Sequence, residues 1–322
     1  MGSYVEVLTE SEKAHSRIRP YARVTPLELS PHLSLMGDGK TYLKLENLQL
    51  TGSFKLRGAA NKLLSMSKKE KSRGVITASS GNHGAAFAYL VKTMGINGTV
   101  YLPENTAKAK IETLGFYDAK MKICPTTDCV ESEQIARNDA AEQGIVYISP
   151  YNDQDIITGQ STIACEILQQ VGQVDVVIVP VGGGGLISGI GSYLKAIDKN
   201  ISIIGCQPVN SPVMYESLQA GRILLLDSKP TLSDGTAGGI EQDSITYEIC
   251  RQVIDDFILI SEKEIISALK ICLEKHFMLV EGAGALSIAA FMKIKERFSG
   301  KNVVLVVSGS KVSMATLKEI WD

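Results

Sequence analysis

The sequence predicts an α/β protein of two open parallel-sheet lobes, with helices on both faces and a ligand cleft between the lobes. Three observations predict it. Short β-rich runs alternate with helix-like segments along the chain, the pattern of a doubly wound sheet. Several runs are continuously apolar, Val-Val-Ile-Val at 176–179 and Val-Val-Leu-Val-Val at 303–307, which suits strands buried on both faces. Loops of small residues follow three of the strands, and open α/β sheets hold ligands at the carboxyl ends of their strands.

In chain order, the first marked stretch is Thr51-Gly52-Ser53-Phe54-Lys55-Leu56-Arg57-Gly58. Its glycines and small residues let a flat ring approach Lys55. An amine that reacts with a carbonyl must lose its proton, which needs a dry or electropositive setting. Phe54 and Leu56 supply dryness and Arg57 supplies charge. Alone, such a lysine reads as a solvated surface charge.

A strand at 74–78 leads into Ser79-Ser80-Gly81-Asn82-His83-Gly84 and a helix at 84–94, which ends before Gly95. Free amides at a helix start attract anions, and the hydroxyls and the Asn82 amide add donors, so the loop suits a carboxylate. His83 by itself reads as a structural histidine. Strands at 98–102 and 120–124 continue the alternation, and residues 72–147 are expected to form a small substrate-side domain. Residues 1–70 and 150–322 form the large domain, entered through the turn Pro150-Tyr151-Asn152-Asp153.

A helix at 161–171 carries an apolar stripe at 163, 164, 167, 168 and 171. The strand at 174–181 then runs into Gly182-Gly183-Gly184-Gly185-Leu186 and a helix at 186–196. Contiguous glycines bring the backbone against a ligand without Cβ interference, and the helix points its positive end at the loop. Phosphate is the expected occupant. The spacing is not the Gly-x-Gly-x-x-Gly of dinucleotide folds. Strands at 202–207 and 257–260 follow, then the capping box Ser261-Glu262-Lys263-Glu264 before a helix at 265–273. The last strand, 302–307, ends in Ser308-Gly309-Ser310, and a helix is expected at 314–321. A phosphate cradle, a carboxylate cradle and an amine match pyridoxal phosphate, which carries a phosphate, an aldehyde and an electron-sink ring.

Composition narrows the function classes. Lys+Arg total 33 against 35 Asp+Glu, a net charge of -2 over 322 residues, which offers no basic field for nucleic acid or acidic membranes. Met1-Gly2-Ser3-Tyr4-Val5-Glu6 lacks the apolar core of a signal peptide, and no run of about 18 apolar residues occurs. The six cysteines at 124, 129, 165, 206, 250 and 272 make no Cys-x-x-Cys pair, as expected of reduced thiols in a cytoplasmic protein. The histidines at 15, 32, 83 and 276 show no metal-ligand spacing, so no metal is expected.

With these motifs in hand, the chain resembles the fold type II pyridoxal-phosphate enzymes, in the serine/threonine dehydratase and serine racemase branch. The resemblance runs from Arg19-Pro20 through Thr25-Pro26-Leu27 and Leu43-Lys44-Leu45-Glu46-Asn47 to Ser308. It implies a tryptophan-synthase-β-like fold with pyridoxal 5'-phosphate between the lobes, and a homodimer. It implies that Lys55 carries the cofactor and takes the α-proton. Phe54 then packs on the ring and Asn82 bonds its phenolic oxygen. Gly182, Gly183, Gly184, Gly185 and Leu186 hold the phosphate, and Ser308 faces the pyridine nitrogen. Ser79, Ser80, Gly81, Asn82 and His83 hold the substrate carboxylate, and Ser80 matches the opposite-face acid/base of racemases.

Departures refine the expectation. The stretch Gln207-Pro208-Val209-Asn210-Ser211-Pro212-Val213 lacks the carboxylates of the racemase-type cation site. Lys311 replaces the usual asparagine, either as a solvated surface lysine or as an altered charge near the ring, and Asp234-Gly235-Thr236-Ala237-Gly238-Gly239 resembles the version in hydroxyectoine-utilisation and other threonine-dehydratase-like members. Tyr151, expected at the substrate, stands where dehydratases place an aromatic residue. The chain ends just after the expected last helix, so isoleucine feedback is not expected. The implied activity is an ammonia-lyase on a β-hydroxy amino acid, L-threonine or L-serine, giving a 2-keto acid and ammonia. The alternatives are an amino-acid racemase, a dehydratase for a larger or acidic side chain, and a cofactor-binding protein without turnover.

Overall fold

The computed structural model describes residues 4–321. Its strands are β1 (Leu27–Leu29), β2 (Lys40–Leu45), β3 (Val75–Ala78), β4 (Gly98–Pro103), β5 (Lys120–Cys124), β6 (Val146–Tyr147), β7 (Val176–Pro180), β8 (Ser202–Pro208), β9 (Asp256–Ile260) and β10 (Asn302–Val307). They form two sheets, of order β1-β2-β10-β7-β8-β9 and β5-β4-β3-β6. Every pairing of the named strands is parallel, as expected, except that of β1 with β2, an antiparallel pair at one edge.

The apolar runs occupy the sheet centre as their composition requires. In β7 every residue is buried, and in β10 all but Asn302. Val303, Val304 and Leu305 pair with Val176, Val177 and Ile178. The helix Gly282–Ile294 packs across β7 and β10 and buries Ala285, Leu286, Ile288, Ala289 and Phe291 in the same cluster. Burial on nearly all sides explains why no amphipathic period marks it in the sequence.

Three strands and several helices escape the period argument. β1 has three residues. β6 has two, both half-buried. β2 alternates, but Lys44 on it is buried. The helix Gln154–Val171 starts seven residues ahead of the expected position, because Asp153 caps the amides of Asp155 and Ile156. The capping box at Ser261 forms as expected and opens the helix Glu262–His276. Five cysteines are buried, but Cys129 is exposed.

A buried ionic network stands behind Lys55. Arg57 is fully buried and donates to Glu46 Oε2 at 2.8 Å and to Glu166 Oε1 and Oε2 at 2.7 Å each. Lys44 Nζ, also fully buried, donates to Glu166 Oε2 at 2.7 Å and to the Thr25 carbonyl at 2.8 Å. Thr25 Oγ1 donates to Glu46 Oε1 at 2.5 Å. These bonds tie the first turn of the helix Lys55–Ser65 to β2 and to the helix Gln154–Val171.

Candidate active site

Lys55 opens its helix rather than lying in a loop. The turn before it needs Gly52, whose φ is +76°. Backbone bonds fix this turn to the segment after β10: Phe54 N donates to the Ser308 carbonyl at 3.1 Å, and Ser310 N to the Gly52 carbonyl at 2.9 Å. The sequence-distant residues Lys55 and Ser308 are thereby neighbours. Lys55 Nζ donates to the Pro150 carbonyl at 2.8 Å and lies 5.2 Å from the centre of the half-buried Phe54 ring. Burial pushes the amine down to about 8, against the pull of Glu133 and Glu281.

The loop after β3 opens the helix Asn82–Met94, two residues ahead of the expected start. Gly84 is obligatory there, since a Cβ would meet the Ser79 carbonyl oxygen at 1.9 Å. Ser79 Oγ accepts from Gly81 N at 3.3 Å, and Ser79, Ser80, Gly81 and Asn82 are half-buried. His83 is buried with Nε2 3.2 Å from the Ile148 carbonyl. Burial and the Lys55 charge push its ring down to about 3, so the side chain is neutral. Asn82 Nδ2 donates to both oxygens of Glu281, at 2.8 and 3.0 Å, while its Oδ1 is buried without a partner.

Gly182, Gly183, Gly184 and Gly185 turn β7 into the helix Gly185–Ile197, which begins one residue before Leu186 and has no side-chain cap. Its first amides are therefore free for a ligand. The loop admits nothing larger than glycine at two positions. A Cβ on Gly183 would strike the Tyr151 ring at 2.5 Å, and Gly184 has a φ of +87°. Thr246 Oγ1 holds the Gly183 carbonyl at 2.6 Å. Tyr151 packs on this loop, and its hydroxyl accepts from Glu241 N at 2.9 Å. Ser308 is buried at the end of β10.

Nothing in the sequence pattern marks Glu281. It is buried, and Lys311 N donates to its Oε2 at 3.0 Å. Burial pushes its carboxyl up to about 7, against the Asn82 hydrogen bonds. Crowding by surrounding protein pushes the Lys311 amine down to about 8, although part of its side chain stays in water. Glu133 and Arg137 also escape detection, since both read as solvent-facing charges on a helix with little apolar stripe. Among the described residues, no three His, Cys, Asp or Glu are placed to hold a metal ion. Gln207 is committed to the fold, accepting from Tyr215 N at 2.9 Å.

These residues fit pyridoxal phosphate. Thr51 Oγ1, Ser53 Oγ and Asn82 Oδ1 are buried polar atoms without partners, as groups awaiting a ligand are. The glycine loop offers uncapped amides to a phosphate, and Lys55 offers a low-pKa amine to an aldehyde. Fold and site together define a pyridoxal-phosphate-dependent enzyme.

Comparison with known proteins agrees. The chain belongs to the pyridoxal-phosphate dependent enzyme family, matched over residues 18–309. It is 39% identical to a catabolic L-threonine dehydratase of Staphylococcus aureus over 324 residues, 99% of this chain and 93% of that relative. It superposes on maize serine racemase with a TM-score of 0.91 at 33% identity, covering 97% of this chain and 95% of that one. Processed threonine deaminase isoform 2 of Solanum lycopersicum gives a TM-score of 0.93 at 30% identity, with 98% and 92% covered.

Proposed function

We propose that the protein is a carbon-nitrogen lyase that converts a β-hydroxy amino acid, L-threonine or L-serine, to a 2-keto acid and ammonia. The observation that carries this reading is the Lys55 amine, pushed down to about 8 and held at 2.8 Å by the Pro150 carbonyl. A lysine in this state loses its proton near neutral pH and serves as a general base. The likeness to an L-threonine dehydratase over 99% of the chain supports the substrate class.

When bound, pyridoxal phosphate supplies an aldehyde for the substrate amine and a ring that draws electrons from Cα. Gly182, Gly183, Gly184, Gly185 and Leu186 would hold its phosphate, Phe54 would pack on its ring, the Asn82 amide, once released from Glu281, would bond its phenolic oxygen, and Ser308 would face its nitrogen. Ser79, Ser80, Gly81, Asn82 and His83 hold the substrate carboxylate, His83 through its backbone because its ring is turned to Ile148. Lys55 takes the α-proton at Nζ. Ser308 is neutral and does not enforce a protonated ring nitrogen, which favours prompt loss of the β-hydroxyl.

In this reading residues 72–147 are the small substrate-side domain, and 1–70 with 150–322 the large cofactor domain. The enzyme works as a cytoplasmic homodimer. Among the described residues no helix is long and apolar enough to cross a membrane. A second reading, racemisation, is favoured by Ser80 in the carboxylate loop and by the likeness to a serine racemase.

The test is the visible spectrum of the protein with pyridoxal phosphate, followed by keto-acid assays with L-threonine, L-serine and L-threo-3-hydroxyaspartate. A band absent from Lys55→Ala and keto acid from threonine or serine are expected. A band with no keto acid overturns the lyase reading, and D-amino acid as the main product replaces it with racemisation.

A further inference from the structure

One carboxyl of the cleft has no part in the chemistry above. Glu133 lies on the helix Cys129–Gln143, which packs over β3, β4 and β6. It is half-buried, and no hydrogen bond or ion pair with the described residues engages it. It is nonetheless the carboxylate whose charge acts most strongly on Lys55, and it acts on Tyr147 and Tyr151 as well. One turn further along, Arg137 stacks on the Tyr147 ring at 4.2 Å and donates to Glu241 Oε1 at 2.7 Å. Asn152 Nδ2 donates to the other Glu241 oxygen at 2.8 Å. Arg137 and Glu241 thus satisfy each other and leave Glu133 over. The Tyr147 hydroxyl is buried without a partner.

Glu133 and the Tyr147 hydroxyl thus belong to the cluster of Arg137, Glu241 and Tyr151, and Pro150, next to Tyr151, accepts from Lys55. A pocket for a bare methyl needs neither Glu133 nor the Tyr147 hydroxyl, and leaving the buried hydroxyl unpaired is unfavourable, while the accessible Glu133 carboxyl is open to a ligand. Burial pushes Glu133 up to about 7, with Arg137 opposing and Glu241 reinforcing. At neutral pH it can accept a hydrogen bond as a carboxylate or share one as an acid. With Arg137 already paired to Glu241, a second carboxylate brought by a substrate meets no free cation here.

We propose that Glu133 and the Tyr147 hydroxyl form the specificity pocket for the far end of the substrate side chain. The preferred substrate carries a hydrogen-bond donor, a hydroxyl or an amine, on the carbon that is a bare methyl in threonine. This deepens the amino-acid reading above and rests on it. In a purely structural role, Glu133 would support the helix and weaken all ligands equally on removal.

The test uses two ligands with no β-hydroxyl, L-homoserine and L-2-aminobutanoate, which differ by one terminal hydroxyl. Their dissociation constants are read from the visible band of the holoenzyme. Homoserine is expected to bind about tenfold or more tighter, the size of a hydrogen bond to a charged partner. In Glu133→Ala the ratio is expected to fall to near one with aminobutanoate binding unchanged. Glu133→Gln and Tyr147→Phe should each keep part of the preference. A wild-type ratio near one, or a preference that survives Glu133→Ala, overturns the proposal. A uniform loss for both ligands in every variant does so too, since it marks a structural role. Failure of the lyase reading shows separately, as absence of keto acid from β-hydroxy amino acids, because neither ligand here can eliminate.

Discussion

Glu166→Ala tests the buried network that positions Lys55. Glu166 Oε1 accepts from Arg57 at 2.7 Å and from Arg19 at 2.9 Å, and Oε2 accepts from Lys44 and Arg57 at 2.7 Å each. Its removal leaves Arg57 and Lys44 buried with Glu46 as the one remaining carboxylate. Breaking a buried pair from one side destabilises by about 3–5 kcal/mol, because the surviving charge keeps its desolvation penalty. Unfolding entropy of about 2.1 cal/mol/K per residue gives roughly 0.7 kcal/mol/K for this chain, so Tm should fall by roughly 4–7 °C. The pH dependence supplies a second readout. Burial opposes ionisation of Glu166, but the Arg57 hydrogen bonds and the Arg57 and Lys44 charges outweigh it and hold the carboxyl well below its usual range. A carboxyl depressed by folding stabilises fully above its unfolded pKa, and that contribution fades as pH falls below it. Between about pH 5 and pH 2 the wild type should lose stability more steeply than Glu166→Ala. Thermal melts of holoenzyme across this range measure both effects. A Tm change of about 1 °C or less, with parallel pH profiles, would refute the reasoning and place Glu166 among groups of surface-pair strength.

Other outcomes follow from the site. Gly183→Ala should weaken pyridoxal phosphate binding at least about tenfold, since its Cβ meets the Tyr151 ring at 2.5 Å; equilibrium titration of the visible band checks this. Loading of apo protein should speed up as pH rises through about 8, where Lys55 loses its proton. A loading rate flat from about pH 6 to 9 would contradict that assignment. Ser80→Ala should retain elimination while abolishing racemisation, read from keto acid and from chiral analysis of recovered substrate.

The parts of the fold legible in sequence are those whose physics is local. β7 and β10 announce themselves because strands buried on both faces must be apolar throughout. The glycine loop is legible because a Cβ there would strike Tyr151, so the chain must spend several glycines in succession. Lys44, Arg57, Glu281 and Glu133 obey a different rule. Their spacing is that of surface charges, and only the approach of segments far apart in sequence buries Lys44, Arg57 and Glu281 and half-buries Glu133. Lys44 meets Glu166 across 122 residues and Asn82 meets Glu281 across 199. No periodicity in a window of one helix or strand can encode such a meeting. One cue does survive in the chain. Arg57 lies two residues after the reactive lysine, where a permanent charge is tolerated only if carboxylates come to it.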